Sequence, residues 1–175
     1  MNKKDLEQYI KNYNRDLCDT TDYCLPLFAE AKRLKTCKKD MFGRDVYLQP
    51  KAKKAWKKMK KAAKKDGVNL KIISAYRSYD YQRQLIQNKL NKGISLEEIL
   101  KVNTLPGFSE HHTGCAIDIG VPNGAILDDK FDQSKAFDWL QLNANKYGFF
   151  MTYPKNNSTG ISYEPWHWCY QKIQD

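Results

Sequence analysis

Residues 51–65 carry the clearest hydrophobic pattern in the chain. Their apolar residues recur at intervals of three and four. The nine remaining positions of the segment are all lysines. The apolar positions are Ala52, Ala55, Trp56, Met59, Ala62 and Ala63. This period predicts an amphipathic helix with one buried stripe and a lysine-coated outer face. Pro50 before the segment and Gly67 after it are typical of helix boundaries.

Similar spacing, together with capping residues, predicts the other helices. Residues 79–91 form one helical pattern, which ends before Gly93, and Ser95 begins a short helix through a capping box. A third pattern begins at Ser134, a typical N-cap, and ends at Gly148. The stretch up to about residue 39 predicts one or two further helices.

Alternating segments predict strands at residues 46–48, 70–76, 114–120 and 161–170, the last interrupted at Pro165. In the third of these, Asp118 lies on the opposite face from Cys115, Ile117 and Ile119, so its carboxylate faces away from the core residues. Strands mixed irregularly with helices, without an internal repeat, predict a single α+β domain in which helices flank a small antiparallel sheet.

Composition narrows the class of protein. The length of 175 residues suits one domain with a core that needs no disulfides, and 41% hydrophobic with 13% aromatic residues excludes a disordered chain. No apolar run approaches the roughly 20 residues that a membrane-spanning helix needs. Acidic and polar residues follow Lys4, where a signal peptide would have its apolar stretch. Three possibilities for the cellular location therefore stay open: the protein stays in the cytoplasm, leaves the cell by another route, or has had its signal peptide removed.

The net charge of +10 comes almost entirely from the nine lysines of residues 51–65. Such a charge run is often only a solvated helix face. The alternative is attraction toward a polyanion, which could be a wall polymer, an anionic lipid or a nucleic acid.

The five cysteines, at positions 18, 24, 37, 115 and 169, leave two interpretations open. The first three are too widely spaced for a zinc–cysteine module. They are either free buried thiols or partners in a disulfide that ties down the N-terminal segment, and an odd number leaves at least one thiol unpaired.

Two segments combine histidine with carboxylates in a pattern typical of metal sites. His111 lies seven residues before Asp118, and His167 lies three residues after Glu164. Zinc in a hydrolytic site takes three protein ligands and keeps a fourth position open, and a nearby carboxylate that is not a ligand serves as general base. We therefore predict one zinc per chain, bound by His111, Asp118 and His167 on the small sheet, with Glu164 as the base.

These segments also resemble a known family. The pattern S-x-H-x-x-G-x-A-x-D is met by residues 109–118, E-P-W-H by residues 164–167, and S-A-Y-R-S by residues 74–78. In this order they resemble the VanY-type D,D-carboxypeptidases and related L,D-carboxypeptidases, which are zinc peptidases of bacterial peptidoglycan. The resemblance runs from about Val46 to Tyr170. It implies a carboxypeptidase domain at residues 46–175 and leaves residues 1–45 as a helical extension packed on it.

The resemblance implies roles for further residues. Arg77 would stabilise the oxyanion or bind the substrate carboxylate in two-pronged fashion. Ser109 and Gln82 would form hydrogen bonds with the terminal residue of the substrate. The family pattern assigns ligation to the first histidine of the pair, so we expect His112 to have a surface or packing role, with a contact to a ligand residue or substrate as the alternative.

The sequence therefore predicts a zinc carboxypeptidase that removes the C-terminal D-alanine from peptidoglycan stem peptides, with D,D- or L,D-specificity left open. We expect a monomer that acts in the cell envelope or outside the cell and binds no specific nucleic acid. Three alternatives remain: an L-alanyl-D-glutamate endopeptidase of the endolysin type, a non-catalytic polyanion binder, and a protein in which the zinc is structural.

Overall fold

Four antiparallel strands form the central sheet of the computed structural model, which describes residues 2–21 and 23–171. In chain order its helices and strands are α1 (Lys3–Asn14), β1 (Lys35–Lys39), β2 (Asp45–Leu48), α2 (Pro50–Lys65), β3 (Lys71–Ser74), α3 (Tyr79–Leu90), α4 (Leu96–Leu100), β4 (Ala116–Gly120), α5 (Lys135–Asn143), β5 (Phe149–Met151) and β6 (His167–Tyr170). The sheet order is β3-β4-β6-β5, and β1 pairs with β2 in a separate two-stranded sheet. The predicted α+β class, with a small antiparallel sheet flanked by helices, is confirmed.

The main core lies between α2, α5 and the central sheet. The apolar stripe predicted for residues 51–65 is buried: Ala52, Met59 and Ala63 have no exposed surface, and Trp56 is 4% exposed. These side chains belong to one cluster with the sheet residues Ile72, Ile117 and Ile119. The hydrophobic period therefore predicted both the helix and its buried face.

A second cluster holds the N-terminal segment against α3 and α4. Ile10 of α1 packs with Ile86, Ile99 and Leu105. A side-chain carbon added at Gly107 would lie 2.5 Å from Ile10 Cδ1, and Gly107 has φ +91°, so this contact needs a glycine. Ile10 of α1 therefore packs closely on this part of the chain, while the division into an extension at residues 1–45 and a domain at residues 46–175 stays a prediction.

Several element boundaries differ from the sequence expectation. Within residues 2–21 and 23–39 the one α-helix is Lys3–Asn14, and Lys35–Lys39 is a strand because it pairs with β2. The predicted strand 161–170 is shorter, since only His167–Tyr170 pairs in the sheet. Backbone amides earlier in that segment bond elsewhere: Ser162 N donates to Lys101 O and Glu164 N donates to Tyr153 O. Strand β5 was not predicted.

Strand β4 is the structural centre of the site. It lies between β3 and β6, and all five of its residues are buried. Its pairing with β6 sets Asp118 directly opposite His167, and its pairing with β3 sets Asp118 opposite Ser74. The sheet register therefore brings together two residues that are 49 positions apart in the chain. Within the described part of the chain, no helix is both long enough and apolar enough to cross a membrane.

Candidate active site

Three buried side chains converge at the start of β6. His167 Nδ1 lies 3.1 Å from Asp118 Oδ1, and His111 Nε2 lies 3.3 Å from Asp118 Oδ2. One potential ligand atom from each of the three residues falls within 4.8 Å of the others. The sequence-predicted set of two histidines and one aspartate is therefore assembled in one place, with each residue no more than 3% exposed.

His111 reaches this place from a 3-10 turn, Glu110–Thr113, that precedes β4. The hydroxyl oxygen of Ser109 caps the turn by accepting a hydrogen bond from His111 N. Gly114 ends the turn at φ +66°, and a side-chain carbon there would lie 2.8 Å from Leu34 Cδ2. The glycine of the motif is thus needed both for the turn and for close packing.

The ring of His111 is oriented by a backbone carbonyl. Its Nδ1 lies 2.7 Å from the oxygen of Ala75, which can only accept, so Nδ1 carries the proton and donates. Nε2 therefore has a free lone pair on the side of Asp118, and this buried atom has no hydrogen-bond partner among the described residues. Buried polar atoms are normally satisfied. An unsatisfied imidazole nitrogen beside a carboxylate and a second histidine fits a metal ion with mixed nitrogen and oxygen ligands.

Electrostatics favours the protonation states that a metal site needs at His111 and Asp118, but not at His167. Burial, together with the nearby Arg77, lowers the pKa of His111 to about 4, so its ring is neutral at pH 7. Burial alone would raise the pKa of Asp118, but His111 and His167 outweigh it and hold that pKa well below its usual range. Burial lowers the pKa of His167, yet hydrogen bonds to Asp118 and Glu110 raise it to about 10. A metal ion would therefore have to displace a proton from His167.

His112 has a packing role in the interior rather than at the surface. It has no exposed surface, and its ring lies edge-on to Tyr79 with centroids 4.6 Å apart. Its Nδ1 donates to Arg77 O at 2.7 Å, and its Nε2 accepts from Gly107 N at 3.1 Å. His112 belongs to the 3-10 turn that precedes β4. His112 fixes the backbone of Arg77.

Arg77 lies three residues beyond the end of β3 and is 15% exposed at its side chain. Its Nη1 donates to Gln82 Oε1 at 3.1 Å, and its Nη2 lies 3.5 Å from Asp118 Oδ2. Gln82 is itself buried and donates to Thr104 O at 2.8 Å. The guanidinium is therefore held at the edge of the site by a glutamine that is fixed in turn by the backbone.

Most of the predicted site residues line one cavity of about 30 Å³. It is lined by Arg77, Gln82, Ser109, His111, Glu164 and His167, together with residues that the sequence did not single out, such as Tyr153. Asp118 lies behind this cavity and lines a larger cleft of about 690 Å³, which shares Arg77 with it. Phe42, Tyr47 and Tyr81 stand exposed along that cleft.

Glu164 enters the cavity from the loop before β6. Its backbone amide donates to Tyr153 O, and its Oε2 lies 3.9 Å from His167 Nδ1. Burial is the main cause that raises the pKa of its carboxyl to about 7, with Asp118 and Glu110 adding to the rise and His167 and Arg77 opposing it. A carboxyl group with a pKa near neutrality is suited to accept and return a proton.

Three residues of the site had no signal in the sequence. Glu110 Oε2 lies 2.9 Å from His167 Nε2 and accepts a hydrogen bond from Thr152 Oγ1 at 2.8 Å. The ring of Tyr153 packs on His167 with centroids 4.9 Å apart. Glu110 occupies a variable position of the motif, and its place beside His111 was the one available hint.

The thiols of Cys18, Cys37, Cys115 and Cys169 are free; Cys169 is buried, and the other three are half-buried rather than buried as the first interpretation expected. Burial raises the pKa of each of them above its ordinary value. A raised pKa keeps a thiol protonated and therefore a poor nucleophile or metal ligand.

Comparison with known proteins adds the family. The family model described as "VanY: D-alanyl-D-alanine carboxypeptidase" matches residues 45–173. A Bacillus subtilis (strain 168) protein named as a candidate carboxypeptidase, YodJ, is 42% identical over 130 residues, which are 71% of this chain and 46% of that protein. This chain thus spans about half the length of that relative.

Two solved structures share the fold. The LdcB LD-carboxypeptidase, whose structure addresses peptidoglycan recognition, is 37% identical with a TM-score of 0.71, over 83% of this chain and 71% of that one. A D,D-pentapeptidase VanY from a VanB-type resistance cassette, solved as a point mutant in complex with Zn(II), is 24% identical with a TM-score of 0.58, over 85% of this chain and 80% of that one.

Proposed function

This chain belongs to the VanY family of D-alanyl-D-alanine carboxypeptidases, and we propose that it is a zinc-dependent carboxypeptidase that removes the C-terminal D-alanine from peptidoglycan stem peptides. The observation that carries the proposal is the convergence of His111 Nε2, Asp118 and His167 Nδ1 beside Glu164 and Arg77. Two histidine nitrogens and one carboxylate as ligands, with a further carboxyl of raised pKa beside them, are typical of a hydrolytic metal site rather than of a structural one.

In this proposal His111, Asp118 and His167 bind one zinc ion. Two imidazole nitrogens and one carboxylate oxygen suit the intermediate softness of zinc. Zinc, when bound, supplies a Lewis acid that polarises the scissile carbonyl and lowers the pKa of water. The three ligands need their own hydrogen bonds to hold this geometry, and Ala75 O and Glu110 Oε2 supply them for the two histidines.

Glu164 moves the proton. Water attacks the carbonyl carbon of the scissile amide, and the carboxylate of Glu164 accepts the proton that the water loses. The C–N bond then breaks, and Glu164 returns the proton to the amine of the leaving D-alanine. The place of Glu164 in the cavity, with a pKa raised to about 7, supports this role.

Arg77 provides the fixed positive charge. Its guanidinium would bind the terminal carboxylate of the substrate or the oxyanion that develops during attack. Gln82 holds that guanidinium and lines the same cavity as Ser109, which supports contacts of both with the terminal residue.

The rest of the stem peptide would lie in the larger cleft, because Arg77 and Asp118 border it directly. The alternative, an endopeptidase that cuts L-alanyl-D-glutamate bonds, would need room for chain on both sides of the scissile bond. The family description supports D,D-specificity, whereas the LdcB likeness supports L,D-specificity. Either activity would place the site of action in the cell envelope or outside the cell.

The test is product analysis with two substrates. The purified zinc-loaded protein is incubated with stem pentapeptides and stem tetrapeptides, and the products are weighed by mass spectrometry. Loss of one terminal D-alanine from either peptide is the expected result, and the preferred peptide distinguishes D,D- from L,D-activity. Cleavage between internal residues would support the endopeptidase. If neither peptide is cleaved, the result would support a non-catalytic binder.

We further propose that the lysine face of α2 attracts an anionic wall polymer. Within residues 2–21 and 23–171, no lysine of α2 forms an ion pair with a carboxylate. Burial and the neighbouring charges of Lys71, Lys64 and Lys38 lower the pKa of Lys60, so lysines from three elements crowd together. Trp56 is buried and offers no stacking surface to a nucleic acid base.

A further inference from the structure

The two histidines of the site present opposite ring nitrogens to Asp118. His111 donates through Nδ1 to a neutral carbonyl, that of Ala75, and turns Nε2 to Asp118. His167 is reversed: its Nε2 lies 2.9 Å from Glu110 Oε2, and its Nδ1 faces Asp118 Oδ1 at 3.1 Å. The two histidines thus differ in two respects. The ring nitrogen that points away from Asp118 binds a neutral carbonyl in His111 and a carboxylate in His167, and the nitrogen that faces Asp118 is Nε2 in His111 and Nδ1 in His167.

Glu110 is a buried carboxylate with few partners. Its residue is 9% exposed, and among the described residues its one ion-pair partner is His167. The hydroxyl of Thr152 donates to the same oxygen, Oε2, at 2.8 Å. Burying a carboxylate is costly unless its charge is paired and hydrogen-bonded. The pairing of this charge with the ring of one histidine indicates that Glu110 acts on that ring.

We propose that Glu110, held by Thr152, is a positioning residue that binds the Nε2–H of His167 and so leaves Nδ1 as the nitrogen available to a metal ion beside Asp118 and His111. A carboxylate acceptor also increases the basicity of the opposite ring nitrogen, which strengthens its bond to a metal. The inference rests on the proposed metal site but not on the identity of the substrate.

The competing explanation is an ion pair that only stabilises the fold. Glu110 belongs to the 3-10 turn and His167 to β6, so their contact also joins two parts of the chain that are 57 residues apart. A purely structural pair would change the stability of the protein when it is removed. It would leave the intrinsic zinc affinity of the folded protein, and the ring nitrogen that binds the metal, unchanged.

The first test measures zinc affinity by competition with a chelator. Glu110→Ala removes the acceptor, and we expect its zinc affinity to fall about 10- to 100-fold, the usual loss when a hydrogen-bond partner of a ligand is removed. Glu110→Gln keeps an acceptor oxygen but loses the charge, so its loss should be smaller. Thr152→Val should show the smallest loss. Glu97→Gln, at an exposed position of α4, is the matched control and should bind zinc as the wild type does.

The second test identifies the ligating nitrogen with cadmium-113 in place of zinc. A metal on Nδ1 couples through three bonds to the Hε1 proton alone, whereas a metal on Nε2 couples to both ring carbon protons. Wild type and Glu110→Gln should show the Nδ1 pattern for His167 and the Nε2 pattern for His111. In Glu110→Ala the His167 pattern should weaken or become mixed.

Unchanged zinc affinity in folded Glu110→Gln and Thr152→Val would overturn the proposal, even if Glu110→Ala failed to fold. An Nε2 pattern for His167 in the wild type would overturn it as well. A wild type that binds zinc but cleaves neither stem peptide would remove the proposed substrate while leaving this comparison intact. A wild type that binds no zinc would count against the metal site and this inference together.

Discussion

The candidate active site and the lysine face of α2 differ in how their charged groups are surrounded. At the candidate active site, Asp118 and His167 are at most 3% exposed, and each has named partners at defined distances. On α2, nine lysines project from a helix whose other face is packed in the core, and they have no carboxylate partner in the part of the chain that the structure describes. Interactions in the first region are short and shielded from water, whereas those in the second are exposed and screened by salt.

This difference predicts how each region responds to change. One substitution in the cavity leaves a buried group without its partner, which is costly for that site. One substitution on α2 removes a fraction of a collective charge, so several are needed for a measurable effect, and added salt should reproduce it.

The largest effect is expected for His167→Ala. It removes one of three predicted ligands, so the purified protein should lose most of its zinc and all measurable hydrolysis. Metal analysis checks the first outcome, and His112→Asn provides a control, because His112 is buried nearby but turns both ring nitrogens to backbone groups. Full zinc occupancy in His167→Ala would contradict the ligand assignment.

Glu164→Ala should separate chemistry from metal binding. It removes the proposed proton acceptor, which typically costs about 10²- to 10⁴-fold in rate, and leaves the three predicted ligands in place. The zinc content should equal that of the wild type while kcat falls. If zinc disappears together with activity, Glu164 is a ligand or a structural support rather than the base.

Amidation of the terminal D-alanine tests the positive charge at Arg77 from the side of the substrate. The amide keeps the scissile bond but removes the carboxylate, so the partly buried guanidinium would lose its charged substrate partner, at a cost of about 2 to 5 kcal/mol. We expect a large fall in kcat/KM with the wild type. In Arg77→Lys, which keeps a charge but loses the two-pronged geometry, amidation should matter less. Undiminished cleavage of the amidated peptide would move the assignment to the endopeptidase.

The smallest effect on chemistry is expected from the lysine face. Changing Lys54, Lys57 and Lys61 of α2 to Glu should weaken adsorption to intact walls at low salt, and high salt should weaken wild-type adsorption in the same way. Hydrolysis of a small soluble peptide should barely change. The matched control changes Lys92, Lys130 and Lys135 to Glu, which alters the net charge equally on other exposed surfaces.

Equal wall adsorption by the α2 variant, the control and the wild type would identify the lysines as a solvated face. Equal weakening in the α2 variant and the control would indicate a response to net charge rather than to this helix. Wall preparations stripped of their anionic polymer should bind the wild type no better than the α2 variant.

The helices show how much of the fold was accessible from local pattern. Residues 51–65 were predicted almost to the residue, because a long run with a strict period and clear boundary residues needs no tertiary information. Ser134 and Gly148 likewise bounded a helical segment, although its last turn is 3-10 (Ala144–Tyr147). Weak patterns were less informative: Lys35–Lys39 is polar throughout except for Cys37, and its strand exists because β2 pairs with it.

The candidate site likewise has features that the local sequence predicted and features that it did not. Residue types and their spacing were enough to predict His111, Asp118, His167 and Glu164 as one group, since few chemistries use that combination. The pairing of Asp118 with His167 across β4 and β6, the hold of Gln82 on Arg77, and the contact of Glu110 with His167 had no local signal.

The sequence by itself determined the candidate residues His111, Asp118, Glu164 and His167, the α+β class of the protein and the lysine face, because these follow from residue chemistry and from periods that neighbouring residues carry. The tertiary structure decided which nitrogen each histidine turns inward. That choice depends on acceptors 36 residues from His111, at Ala75, and 57 residues from His167, at Glu110. Ring orientation is set by the partner of the outer nitrogen, and only the folded chain brings that partner within hydrogen-bond distance.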